Sequence, residues 1–292
     1  MSAAIATQQQ RRLGNKTLRR ALRHPLIVTG SLILIALGVA ALFGRQIAPF
    51  DPELMDFTAL FSPPSATHIF GTDEFGRDIF SRVLYGAAVS FRVAFVAVAI
   101  SAVAGVFLGA IAGFYGKWLD EVIMRFMDIL FAFPAVLLAI TVMAILGRGV
   151  TNAMIAIAIV YIPIFARVTR GAVLSVRGRE FVSAARALGQ SDGVIIFQHI
   201  LPNALGPIIV QTSLSLAFAI LAEAALSYFG LGTQPPEPSW GRMLSEGRSF
   251  FAQAPWMGIF PGLAIMLSVM GFNFLGDGLR DLLDPRLKNV LR

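Results

Sequence analysis

The sequence predicts an all-α polytopic membrane protein with six transmembrane helices, and three observations carry that reading. Hydrophobic residues make up 56% of the chain against 14% charged, with a mean hydropathy of +0.73. That balance is too apolar for a water-soluble domain. Six apolar runs, near 26–44, 86–113, 129–147, 150–168, 204–231 and 257–276, are long enough to cross a hydrocarbon layer, which takes about 20 residues. None alternates polar and apolar residues as a barrel strand does, so each must close its backbone hydrogen bonds internally, as a helix does.

Residues 1–25 form a polar, basic arm with few aromatics, suited to solvent or a membrane surface. The run 26–44 follows this arm and ends in small residues, as a signal peptide would. At about 19 residues it is a full span, so an uncleaved first helix is expected. Residues 45–85 make a segment outside the membrane with turn-forming Pro49, Pro52, Pro63 and Pro64. Thr72 or Asp73 is placed to cap the next helix. Asp73, Glu74 and Asp78 lack the alternating ligands and central glycine of a calcium loop. Capping and pairing with Arg77 and Arg82 are the expected roles.

Residues 86–276 hold five spans. The first of them carries Ala97, Ser101, Gly105, Gly109 and Gly113, a small residue at every fourth position. Such a face lets another backbone approach closely, within the bundle or across a subunit interface. Next come Glu121, Arg125 and Asp128 at helical pairing distances. Pro134 and Pro163 lie inside apolar runs, where each removes a backbone donor and permits a bend.

The segment 175–202 is a polar interruption between long apolar spans. Phe181, Ala184, Ala185 and Leu188 recur at helical spacing. Gly189 permits a sharp turn, Ser191 can cap a second helix ending near Pro202, and Asp192 suits that helix's positive end. An ordinary surface hairpin has the same pattern. So does a rigid element seated in a partner's groove.

Glu223 lies about 30 Å of helix beyond Asn203, at ~1.5 Å per residue. An ionisable group at a helix centre in a bilayer costs about 2.5–3.5 kcal/mol and usually faces the bundle interior or a water-filled cavity. A place at the translocation pathway or a subunit interface is expected; the alternative is a protonated packing residue. Beyond it lie a Pro/Gly-rich external loop, with Trp240 expected to be exposed, and a tail, 277–292, with Asp277 and Arg280 at pairing distance.

Charge orients the bundle. Arg11, Arg12, Lys16, Arg19, Arg20 and Arg23, then Lys117 and Arg125, then Arg167, Arg170, Arg177, Arg179 and Arg186, and finally Arg280, Arg286, Lys288 and Arg292 fall on one side. They are seventeen of the 24 basic residues. Basic loops stay in the cytoplasm, so both termini and the 175–202 loop are expected there. The net charge of +7 is accounted for by this asymmetry, and no aromatic-lined basic groove points to nucleic acid. With no cysteine, the chain has no disulfide or thiolate chemistry. No GxxxxGK[ST], HExxH or GxSxG motif occurs, so neither a nucleotide site nor an intramembrane enzyme is supported. No inverted repeat marks a stand-alone secondary transporter or channel.

Ala184, Ala185, Gly189, Leu201 and Pro202 resemble, in identity and spacing, the EAA loop of ABC importer permeases. Ser183 stands where that motif's glutamate is often written, His199 where isoleucine is usual, and Glu180 at the acidic position of the peptide subgroup. GTDEFGRD, SRVLYG, LSYFGLGTQPPEPSWGRML and GFNFLGDGLRDLLDPRL are similar to signatures of the dipeptide/oligopeptide (peptide/nickel) ABC importer family, permease subunits with a short external N-terminal region. The resemblance runs from about Leu22 to Leu287. It implies a type I ABC importer permease fold with a MetI-like core, in a bacterial inner membrane. It also implies a second homologous permease subunit, two cytoplasmic ATPase subunits that bind ATP and Mg, and an extracytoplasmic peptide-binding protein. This chain would hold no cofactor. Glu180, Ala184, Ala185, Gly189, Asp192 and Pro202 would couple to the ATPases, with Glu223, Gly105 and Gly109 at the pathway or subunit interface. Peptides are the implied cargo, with nickel or glutathione-like compounds as alternatives.

Overall fold

A computed structural model describes residues 20–283. The basic residues Arg11, Arg12, Lys16 and Arg19, and Arg286, Lys288 and Arg292, lie outside them. The main α-helices among the described residues are α1 (Pro25–Ile47), α2 (Ile79–Tyr115), α3 (Lys117–Phe131), α4 (Ala135–Leu146), α5 (Val150–Arg177), α6 (Glu180–Ala187), α7 (Asp192–Val194), α8 (Leu201–Tyr228), α9 (Trp240–Gly247) and α10 (Trp256–Leu283). Among the described residues no strand forms beyond an isolated bridge between Thr72 and Asp78. Five stretches are long and apolar enough to cross a membrane, and α3 with α4 make a sixth if taken together.

The main core gathers Ala97, Ile157, Phe165, Ile220, Trp240 and Phe272 from α2, α5, α8, α9 and α10. Small residues set the helix spacing. A Cβ on Gly105 would fall 2.7 Å from the Ile162 carbonyl, and one on Gly109 would collide with the Ala166 carbonyl. The glycine face of α2 is therefore filled by α5 of the same chain, where dispersion contacts replace lipid. Gly30 brings α1 equally close to α10 at Gly271.

The third apolar run does not form one helix. α3 and α4 meet at 92°, because Pro134 has no N–H to continue the ladder and instead stands as the N-cap of α4. α4 has only 12 residues, about 18 Å of rise. α3 lies across the bundle end, tied down by Asp120–Arg170 at 2.5 Å and Asp128–Arg167 at 2.6 Å. Arg125 meets Glu121 at 3.9 Å as expected, but Asp128 pairs with Arg167, on the adjoining α5, rather than with Arg125. Pro163 stays inside an unbroken α5.

At the α9 end, two expectations need correction. The cap of α2 is Asp78, whose side chain accepts Ser81 N–H at 2.8 Å. Asp73 is occupied instead by the Phe75 and Arg77 amides and the Arg77 guanidinium, and Thr72 donates to the Ala59 carbonyl. Trp240 is fully buried, its indole N–H donating to the Val83 carbonyl at 3.0 Å. Amphipathic Trp is buried when its one donor finds a partner, which the sequence cannot show. At the other end Asp277 and Arg280 do not pair; Asp281 reaches His24 at 3.5 Å.

Candidate functional site

The segment after α5 builds a compact projection at the α6 end of the bundle. Glu180 and Arg186 lie in the first and last turns of α6, the order the helix dipole favours. Val182 and Ala185 are its buried residues and join Val173, Val176, Ala110 and Phe114 beneath. Arg186 adds a cation–π contact with Phe114 at 5.7 Å. The buried stripe is thus Val182/Ala185. Phe181 and Leu188, two of the four apolar residues at helical spacing, point outward and are 39% and 80% exposed. Ala184 is exposed between them.

α6 stops in a Schellman motif. Gly189 N–H bonds to the Arg186 carbonyl at 3.0 Å and Gln190 N–H to the Ala185 carbonyl at 3.2 Å. Gly189 takes φ +76°, which a side chain resists. Yet a Cβ there would meet nothing within 4 Å. Around the turn lie exposed Gln190, Ser191, Asp192 and Gly193, with Asp192 opening α7. Ser191 occupies the N-cap position without a side-chain cap bond.

The second helix does not end near Pro202. α7 widens into a π-helix over Ile195–Ile200 and continues straight into α8. The widening falls just before Pro202, whose ring would press on the Gln198 carbonyl in a regular turn. Ile195, Ile196 and Ile200 anchor it in the same cluster as Val182. His199, one of the two residues that depart from the EAA pattern, bonds Gln190 across the loop at 2.6 Å, while Asn203 donates to the His199 carbonyl at 2.7 Å. Arg177 seals the base by donating to the Gly113 and Phe114 carbonyls. The exposed Phe181–Leu188 face is therefore held rigidly at both ends.

Glu223 lies far from this projection, toward the α9 end, and is 1% exposed. Ser90 on α2 and Ser227 on α8 both donate hydroxyls to it, at 2.9 and 2.7 Å. These two serines went unnoticed in the sequence, although Ser227 stands four residues on from Glu223, one helical turn away. Nearby, Glu246 accepts from Arg82 at 2.9 Å and Arg242 at 2.9 Å, and Arg77 reaches it at 3.4 Å. Asp73, Arg77 and Arg82 complete a buried ion network joining α2 to α9. Among the described residues no group of three His, Asp or Glu side chains gathers to hold a metal.

The profile of binding-protein-dependent transport system inner membrane components matches residues 105–289, and that of the N-terminal transmembrane domain of oligopeptide transport permease C matches residues 13–64. The chain belongs to the binding-protein-dependent permease family. Within that family it is 52% identical to the dipeptide transport system permease protein DppC of Alkalihalophilus pseudofirmus, over 90% of this chain and 85% of the relative. It is 47% identical to the glutathione transport system permease protein GsiD of Escherichia coli O157:H7, over 92% and 89%. In shape the permease resembles a chain of the inward-facing MetNI methionine ABC transporter, with TM-score 0.57 and 18% identity, covering 69% of this chain and 96% of that one. The type I ABC importer permease fold, with its MetI-like core, is thus the fold observed.

Proposed function

We propose that this permease forms half of the translocation pathway of an ATP-driven importer for dipeptides or oligopeptides brought by an extracytoplasmic binding protein. A second homologous permease supplies the other half, and two cytoplasmic ATPase subunits bind ATP and Mg and supply the work. The α6 end, with both termini, faces the cytoplasm, and the α9 end faces the binding protein. The observation that carries this reading is the exposed Phe181–Leu188 face on a helix locked from below. A large apolar side chain held 80% exposed on a rigid support suits a surface that another protein covers.

Glu180, Ala184, Ala185, Gly189, Asp192 and Pro202 form the coupling element. ATPase closure pushes on α6, and the π segment carries the push into α8, so the two permease halves rock between inward-open and outward-open states. Gly105 and Gly109 weld α2 to α5 into one wall of the pathway, and Glu223 braces α2 against α8. The similarity to a dipeptide permease supports peptide cargo; similarity to glutathione permeases supports a short peptide-like cargo as the second reading.

Gly189→Val tests the coupling. The valine forces a branched side chain into φ +76°, at about 1–2 kcal/mol, and fills the open approach to the turn. The variant is expected to insert and assemble while peptide uptake by the reconstituted complex falls at least about tenfold, the equivalent of ~1.4 kcal/mol of coupling. Wild-type uptake would refute the assignment.

A further inference from the structure

Glu223 lies in the interior of this chain rather than on an open wall. Its two serine partners differ in what they hold. Ser90 fixes the carboxyl group to α2. Ser227 donates to the carboxyl and at the same time accepts the Thr233 amide at 3.0 Å, so its hydroxyl links Glu223 to the backbone of the loop 229–239. Gly232 presses on that hydroxyl so closely that a Cβ would collide with it. One residue earlier, the Leu231 carbonyl accepts Gly149 N–H at 2.9 Å, joining the loop to the α4–α5 connection. Farther along, Glu237 reaches Arg92 at 3.5 Å. Glu237 and Pro238 then form one side of a crevice of about 710 Å³ whose other walls include Arg45, Tyr85 and Arg92.

An apolar side chain would fill the space of Glu223 but would leave both serine hydroxyls and their shared geometry undirected. A carboxyl group with two acceptor oxygens fixes both. We infer that Glu223 is a positioning residue for the outer loop 229–239, which it holds as part of the platform on which the binding protein docks. Through Ser227 and Ser90 the same group passes a load on that loop to α8 and α2 together. The inference rests on the proposed transport function and deepens it.

The test uses the whole complex in lipid nanodiscs, with ATPase rate measured against binding-protein concentration. Glu223→Leu is expected to raise the half-saturating binding-protein concentration about tenfold. Glu223→Gln, whose amide can accept from one serine and donate to the other, should stay within about twofold of wild type. Ser227→Ala keeps the carboxyl group but cuts the link to Thr233, and should raise the half-saturating concentration about fivefold. It decides the matter if Glu223→Leu does not assemble. An unchanged half-saturation in Ser227→Ala, or equal damage from Gln and Leu, overturns the inference. A wild-type complex whose ATPase ignores the binding protein overturns the transport reading itself, and this inference with it.

Discussion

The two ends of the molecule satisfy their side chains in opposite ways. At the α9 end, buried Asp73, Arg77 and Arg82 join half-buried Arg242 and Glu246 in one ion network, and Trp240 is covered by the protein's own chain. At the α6 end, Val182 and Ala185 are buried, but the opposite face of the same short helix ends in Leu188 at 80% exposure. The ion network of the first end closes within a single chain. The second presents a large apolar side chain that this chain leaves uncovered. Both are built on helix termini, so the contrast lies in which groups have partners and not in the kind of local structure.

Breaking the complete end has the largest expected effect. Glu246→Ala removes the nearest carboxylate of Arg82, which is 1% exposed, and leaves it beside Arg77 with Asp73 at 3.6 Å. Removing one partner of a buried pair costs about 3–5 kcal/mol, and the thermal midpoint of the purified complex should fall accordingly. A midpoint within experimental error of wild type would show that the network adds no structural support.

The incomplete end should respond the other way. Leu188→Ser removes an exposed side chain with no role in the buried cluster, so the thermal midpoint should hold, while uptake falls by about tenfold, or ~1.4 kcal/mol of coupling. Loss of stability together with uptake would place Leu188 in the fold and not in the coupling surface.

The smallest effect sharpens the description of the complete end. Burial pushes the Glu74 carboxyl above the usual range, with Asp73 and Glu246 adding to the rise and Arg77 opposing it. Its Oε2 is buried without a hydrogen-bond partner. A raised folded-state value means that the charged form is the penalised one, so the penalty applies above that value and disappears as pH falls through it. Glu74→Gln should therefore raise stability at neutral pH by less than about 1 kcal/mol, and the gain over wild type should vanish on acidification. A gain that grew toward low pH would reverse the assignment.

What was legible in the sequence follows the same division. Spans, the helical projection after α5 and its glycine turn can be read because they depend on local properties: apolar length, the φ freedom of Gly189, and the i to i+4 spacing around α6. Which face of α6 is buried was not legible, because Ala184, Phe181 and Leu188 are as apolar as Val182; only contact with Val173 and Val176 on α5 decides which side is down. Trp240 was misplaced for a related reason, since the Val83 carbonyl that takes its indole N–H lies 157 residues away. Glu223 was found by its cost, but its two serines were not, because serine in an apolar helix carries no comparable signal. The break at Pro134 was legible as a bend. Its 92° size was not, because α3 is held across the bundle by Asp120 and Asp128 reaching arginines on α5.

The twelve residues of α4 carry a further implication. A bilayer interior measures about 30 Å, so lipid beside this helix must dimple inward or give way to a neighbouring protein. Arg148 stands exposed just past the helix, where a charged side chain favours headgroups or water over hydrocarbon. A helix that short does not seal a hydrocarbon layer by itself, so α3 or a neighbouring chain has to complete the barrier at this corner.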